Sequence, residues 1–337
     1  MEKEIYLSIV IAVRNDNYGG DFNQRLHNAL KWNTDLLEKH RILSEIILVN
    51  WNPIKDNPPL LTGFDLSQTR NFVQYNIIEV PEELHERFHN EELRKKLPMY
   101  EFIAKNVGMK RAKGKFILCT NADILFSEQV IQEIAKGDLK QNTLYRSIRA
   151  DYQSTHTPNF TEKEIKNSVS AFFLRTGTFS SLPGLNFHNS LKWSKFKDAF
   201  LQIVYSIWLN IIARLNYYEE RIFIFKYPFN ASGDFALIDQ PSFIEKARYP
   251  EDTRISTHVD SLHLVKCLEQ GLKIVELEGI VYHQEHPRRF DFNKKDNDMD
   301  LMFERLLQTI HDYLKGSSKQ TKIVNMLDEI ELNKKSL

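Results

Sequence analysis

Short apolar runs alternate with longer amphipathic stretches through the first third of the chain. Tyr6–Val13 is apolar apart from Ser8, the pattern of a strand covered on both faces. It gives way to Arg14-Asn15-Asp16-Asn17-Tyr18-Gly19-Gly20, a polar loop with two glycines. From about Asn23 to His40, residues Leu26, Ala29, Leu30, Leu36 and Leu37 fall on one helical face. Glu45–Val49 predicts a second strand, ending in Asn50-Trp51-Asn52-Pro53. A proline-rich loop with Pro53, Pro58 and Pro59 leads to a third strand around Phe72–Val80. A helix from about Pro98 to Ala112 follows, and Gly114 stands where a helix C-terminus wants positive φ. Phe116–Cys119 is a short buried strand. This alternation predicts an α/β protein with a Rossmann-like, mostly parallel central sheet flanked by helices.

Beyond the fourth strand the pattern loosens. Ser127 with Glu128 can cap a helix running to about Lys136, with Gly137 as its stop. Leu144–Arg149 reads as another strand, whereas Thr155–Lys195 is polar and broken by prolines, as a lid or acceptor-side insertion would be. Phe200–Leu215 is a helix with a wide apolar face, which could pack on the core or lie on a membrane surface. Asn230–Glu251 reads as a glycine turn, a strand and a short helix. Thr257–Leu262 opens an apolar helix stopped by Gly271, followed by strand Lys273–Leu277 and by Ile280–His286. From Phe290 onward Leu301, Phe303, Leu306, Leu307, Ile310 and Leu314 recur at helical spacing. The boundaries expected are 1–126 and 127–290 as two halves of one domain, with 291–337 a C-terminal helical appendage and a potential dimer surface.

Composition narrows the classes. The chain has 337 residues and is 42% hydrophobic, enough for a substantial core. Lys+Arg and Asp+Glu both number 45, so no net field favours nucleic acid. The two cysteines, Cys119 and Cys267, lack metal-ligand spacing and suit a reducing compartment. Met1-Glu-Lys-Glu with an apolar run ending at Arg14 is no secretory leader, so a cytoplasmic setting is expected, with peripheral membrane association the variant. The sequons at Asn159 and Asn230 carry little weight there.

The chemistry concentrates where strands end. Thr120-Asn121-Ala122-Asp123 closes the fourth strand at a sheet's carboxyl edge, where open α/β sheets bind ligands. Asn106-x-Gly108-x-x-x-Ala112-x-Gly114-x-Phe116, a strand and Asn-Ala-Asp resemble the centre of a GT-A glycosyltransferase of the kind grouped around family 2. The resemblance spans about Ile5 to His286 and is weakest between Asp151 and Phe229. It implies a GT-A fold and a divalent metal, Mn2+ or Mg2+, held by Asp123 with His283 after the last strand, His286 being the substitute. It implies donor contacts from Arg14, Asn15, Asn50, Asn52, Asn106, Arg111 and Asn121, with Lys110 and Arg111 facing a diphosphate. Trp51 is read as packing or as a base-stacking platform. On the acceptor side the resemblance matches Gly233 and Asp234, and makes Asp260 the general base.

Two departures matter. Asn121 stands where the family has its first acid, and an amide is a poorer ligand for a hard cation. Val259 replaces the Glu of the family's Glu-Asp pair, leaving Asp260 alone. The resemblance implies an inverting transferase moving a sugar from a nucleotide-diphosphate donor, with uridine favoured, to a hydroxyl on a glycan or glycolipid. A sugar-phosphate nucleotidyltransferase would want a glycine- and basic-rich signature, which Arg14–Gly20 lacks. A catalytically degenerate nucleotide-sugar or carbohydrate-binding protein stays open because of Asn121 and Val259.

Overall fold

The computed structural model describes residues 4–65, 70–88, 97–153, 160–211, 216–251, 258–287, 297–317, 332 and 334–336. Eleven strands form one sheet. The first three, β1 (Leu7–Val13), β2 (Ser44–Trp51) and β3 (Val73–Val80), lie in parallel with β1 between β2 and β4 (Phe116–Thr120). Every residue of β1, β2 and β4 is buried. The parallel half is thus as the apolar runs require, with helices on both faces.

The second half is mixed in direction. β5 (Ile124–Phe126), β6 (Thr143–Tyr152), β9 (Phe235–Asp239) and β10 (Lys273–Gln284) complete the path. β9 runs antiparallel between β4 and β6, β6 is parallel to β10, and β10 is antiparallel to β5. Of the stretch Thr155–Lys195, expected as a lid or acceptor-side insertion, residues 160–195 are described and hold regular elements. They carry β7 (Val169–Leu174) and β8 (Gly177–Ser180), an antiparallel extension of β6, and the start of a long helix. Pro158 and Asn159 lie outside the described residues.

Helices α1 (Phe22–Lys39), α2 (Glu82–His85), α3 (Glu101–Lys110) and α4 (Glu128–Ala135) serve the first half. α5 (Glu162–Asn167), α6 (Phe187–Ile211), α7 (Tyr218–Lys226), α8 (Gln240–Glu245), α9 (Val259–Glu269) and α10 (Asn297–Leu314) follow. Alternate β1 residues face opposite layers. Val10 and Ala12 join α3, α8, α9 and α10 in one core, while Leu7, Ile9, Ile11 and Val13 join α1 and α4 in another.

Two glycines of α3 and its exit bring that helix onto the sheet. A Cβ on Gly108 would stand 2.4 Å from Val10 Cγ1, and one on Gly114 would stand 2.5 Å from the Ser8 amide nitrogen. Gly114 is therefore set by close approach to β1, and not by a left-handed backbone. Gly137 and Gly271 do take positive φ where their helices stop. Trp51 is wholly buried and donates from Nε1 to His85 Nδ1 at 2.9 Å, so it is packing.

The C-terminal segment is less of an appendage than the sequence suggests. Met302, Leu306 and Ile310 of α10 are core residues. β11 (Lys334–Ser336) pairs with β3 at the sheet edge. The second helix expected after Gly316 lies outside the described residues.

His263 of α9 gives a pH test of this packing. It is buried between Phe243 and Tyr249, with Nε2 2.6 Å from the Ala247 carbonyl. Burial pushes its pKa down to about 3. Between that value and its unfolded value near 6.5, the unfolded chain holds one more proton, so stability falls as pH falls. About 2 kcal/mol should be lost between pH 7 and pH 5 through this group. In His263→Phe that slope should vanish, even though the variant is less stable at pH 7. Urea midpoints at the two pH values measure both.

Candidate functional site

The carboxyl edge of the sheet holds two adjoining clefts. One is lined by Ala12, Tyr18, Phe22, Asp123, His283 and His286. The other, of about 530 Å³, is lined by Gly233, His258, Asp260, Phe225, Phe303 and Leu306. Glu101, Asn121, Arg149 and Asp234 line both.

Backbone pairing assembles the first cleft. β10 lies against β5 with His283 opposite Ile124, and the Gln284 amide donates to the Asp123 carbonyl at 3.2 Å. Residues more than 150 positions apart thereby converge. Nitrogen or oxygen atoms of Asp123, His283 and His286 lie within 4.8 Å of one another. His286 Nε2 is 3.1 Å and His283 Nε2 3.7 Å from Asp123 Oδ2. Burial would raise the Asp123 pKa, but His283, His286 and Arg25 outweigh it and hold the carboxylate well below its usual range. The set can hold a divalent cation. Both His283 and its substitute His286 are in it.

Neighbours orient this set. His283 Nδ1 is 3.2 Å from Asp151 Oδ1. Asp151 and the Arg149 guanidinium both meet His283 at Nδ1, which leaves Nε2 as the ring nitrogen turned toward Asp123, and a carboxylate beside the far nitrogen of a histidine is the arrangement that supports metal ligands. Burial opposes ionisation of Asp151, yet His283 and Arg149 bring its pKa down to about 2. Gly19 takes φ +69°, and a Cβ there would stand 2.5 Å from His286 Nδ1, so the first loop closes on the ligand only as glycine. Arg25 is buried under that loop, donating to the carbonyls of Tyr18 and Gly20.

Arg149 joins the clefts. Its Nε donates to Asp151 Oδ1 at 2.6 Å and its Nη1 to Asp234 Oδ2 at 3.0 Å, while Nη2 lies 2.9 Å from His283 Nδ1. Asn121 donates to Asp234 Oδ1 at 2.7 Å and accepts from Lys105 Nζ at 2.7 Å. Lys105 is fully buried and also bonds Glu101 and the Gly233 carbonyl. Asp234 is thus spoken for at both oxygens. Asp260 differs. It accepts backbone N–H bonds from Gly233 at 2.8 Å and Ser261 at 2.9 Å. No cationic side chain bonds it among the described contacts, and it faces the second cleft.

The donor residues expected from sequence divide three ways. Arg14, Asn15, Asn50 and Asn52 gather at the ends of β1 and β2, where Arg14 Nε donates to the Asn52 carbonyl at 2.7 Å. Asn15 spends its amide on the β2 exit loop, at Ile54 and Pro58. Asn50 is buried, and its Oδ1 has no hydrogen-bond partner among the described residues. Asn121 lies at the junction already described. Asn106 and Arg111 correct the expectation. Asn106 is fully buried and pairs both ways with the Tyr249 backbone, at 2.9 and 3.0 Å, so it pins the β-to-α segment behind the site. Arg111 follows the last turn of α3. A helix feeding a parallel strand ends at the strand's amino edge, so Arg111 with Lys110 lies away from the clefts. The first turns of α3 reach the carboxyl edge instead, bringing Glu101 and Lys105.

Sequence reading passed over Arg149, Asp151, Lys105 and Glu101. Arg149-x-Asp151 at the end of a predicted strand was the available signal, since residues two apart share a strand face.

The geometry predicts that the protein binds one Mn2+ without any other ligand. Asp123→Ala should abolish this, and Asp151→Asn should weaken it about 10- to 100-fold. Calorimetric titration with Mn2+ measures both, with circular dichroism to confirm that each variant is folded.

No protein-family model matches the sequence, and no curated protein matches it. Solved structures do show similarity. The catalytic domain of a Drosophila β1,4-galactosyltransferase 7, in complex with xylobiose, aligns at 10% identity and TM-score 0.42, over 89% of this chain and 80% of that one. The mannosyltransferase PcManGT from Pyrobaculum calidifontis, in complex with GDP-Man and Mn2+, aligns at 9% identity and TM-score 0.47, over 95% and 67%. GalNAc-T7 with UDP, GalNAc and Mn2+ aligns at 12% identity and TM-score 0.47, over 91% of this chain and 48% of that one.

Proposed function

We propose that this protein is a metal-dependent glycosyltransferase of the GT-A type, taking a nucleotide-diphosphate sugar as donor and a hydroxyl-bearing glycan or glycolipid as acceptor. The observation that carries this reading is the Asp123–His283–His286 cluster at the carboxyl edge of β4, in a cleft adjoining the one that Asp260 lines. The resemblance of the Asn106–Asp123 segment to the family supports it.

Each half has its task. Asp123, His283 and His286 would hold the cation, and two imidazoles with one carboxylate suit Mn2+ better than Mg2+, which prefers oxygen ligands throughout. When bound, such a cation neutralises charge growing on a diphosphate leaving group. In the second cleft Phe225, Phe229 and Phe303 offer apolar faces for sugar rings.

Asp260 is the general base in this reading. A sugar hydroxyl is far too weak an acid to ionise alone at neutral pH. The Asp260 carboxylate accepts its proton as the hydroxyl oxygen attacks the anomeric carbon and the diphosphate departs, which inverts the configuration. Asp234 is tied by Arg149 and Asn121 and serves to shape the cleft. The reading in which the protein binds sugar nucleotides without transfer gains from Asn121, which is engaged with Asp234 and Lys105.

A panel of nucleoside diphosphates should raise the melting temperature for one base, and only with Mn2+ present. Absence of any stabilised nucleotide would sink the donor assignment. With the acceptor found, Asp260→Asn should lower transfer about 10²- to 10⁴-fold while donor binding persists. Equal transfer by wild type and Asp260→Asn, with loss in Asp234→Asn, would move the base to Asp234.

A further inference from the structure

The long helix α6 is built inside out. Trp193, Phe196, Phe200, Ile203, Ile207 and Ile211 recur every three or four residues along its outer face. They are 52%, 63%, 58%, 60%, 56% and 77% exposed. The stripe is about 27 Å long at 1.5 Å per residue. The inner face carries Ser190, Ser194 and Asp198, all buried. An isolated exposed apolar side chain needs no explanation, but a continuous stripe of this length does.

The outward orientation is fixed by bonds. Asp198 Oδ1 accepts from the Thr176 amide at 2.7 Å and the Thr176 hydroxyl at 2.6 Å, and Gln202 donates to Asp198 Oδ2 at 2.8 Å. Turning the helix to bury its apolar face would break both bonds to Thr176. Tyr205 stacks on Phe225 of α7 at 5.2 Å, which seats the helix flank beside the acceptor cleft.

We propose that this face docks the protein on an anionic membrane surface. Charge argues for that occupant. Lys192, Lys195 and Lys197 are exposed on the amino half of the helix. Asp198, the helix's one acidic residue, is buried and engaged. A second copy packed antiparallel on the stripe would find no acid on it to meet these lysines, whereas anionic headgroups would. Trp193 and Trp208 on the exposed side are residues that favour the headgroup layer. No helix among the described residues is long and apolar enough to cross a bilayer, so the contact is peripheral. The lysines lie before Phe200, where the apolar periodicity alone began this helix.

The test is flotation of the full chain with phosphatidylcholine vesicles, with and without phosphatidylserine. Wild type should float with the anionic vesicles and be released by salt. Lys192→Gln/Lys195→Gln/Lys197→Gln should weaken partition roughly 100-fold, at about fivefold per lysine. Phe200→Glu/Ile207→Glu should abolish it while leaving the melting temperature unchanged, because both sites are exposed. Failure of wild type to float, or undiminished flotation of the Phe200→Glu/Ile207→Glu variant, overturns the proposal. Light scattering without lipid provides a second check. A dimer split by that same double substitution would assign the stripe to a second copy and overturn it too, whereas a monomer in both cases supports the membrane.

Discussion

A half-buried guanidinium holds the site together. Arg149 bonds Asp151 and Asp234 and lies against His283, so one cation ties the Asp123–His283–His286 cluster to the wall of the second cleft. Two carboxylates as buried as these would be costly if left without it. Its planar fork suits the task, because separate N–H groups can be aimed at separate partners. Lysine offers no such geometry.

The junction also explains the amide at position 121. Asp234 Oδ1 sits 2.7 Å from Asn121 Nδ2. A carboxylate at 121 would face Asp234 as a like charge, whereas the amide donates to it and accepts from Lys105 on its other side. The departure from an acidic pair is compensated locally: the site trades a first carboxylate for a neutral bridge, and His286 joins Asp123 and His283 as a third potential ligand. A cation held here would lean on imidazole more than on carboxylate.

The two faces of the molecule follow opposite rules. Around the sheet, glycines at 108 and 114 let α3 settle against β1 with no room for a methyl group. On α6 the apolar residues are held outward by Asp198 and its partners. Core packing explains the first arrangement and does not explain the second, which is why the second points to something outside the chain.

The sequence by itself determined the parallel half of the fold. Apolar runs at Tyr6–Val13, Glu45–Val49 and Phe116–Cys119 can be buried on both faces only as central strands, and they are, while Phe72–Val80 supplies the third parallel strand with Gln74 and Glu79 left exposed. It also placed Asp123, Asp260, His283 and His286 at strand or helix ends, because such ends carry the polar groups a site needs. Tertiary structure decided the rest. Antiparallel pairing of β10 with β5 brought His283 and His286 to Asp123, a convergence that no local spacing encodes. The direction of α3 put Lys105 in the site and Arg111 away from it. Asn106 turned out to be a pin, since a buried amide bonds whatever backbone packs against it, and only the fold determines which backbone that is. The face α6 shows to solvent was equally hidden, because periodicity reveals an apolar stripe but not which way it turns.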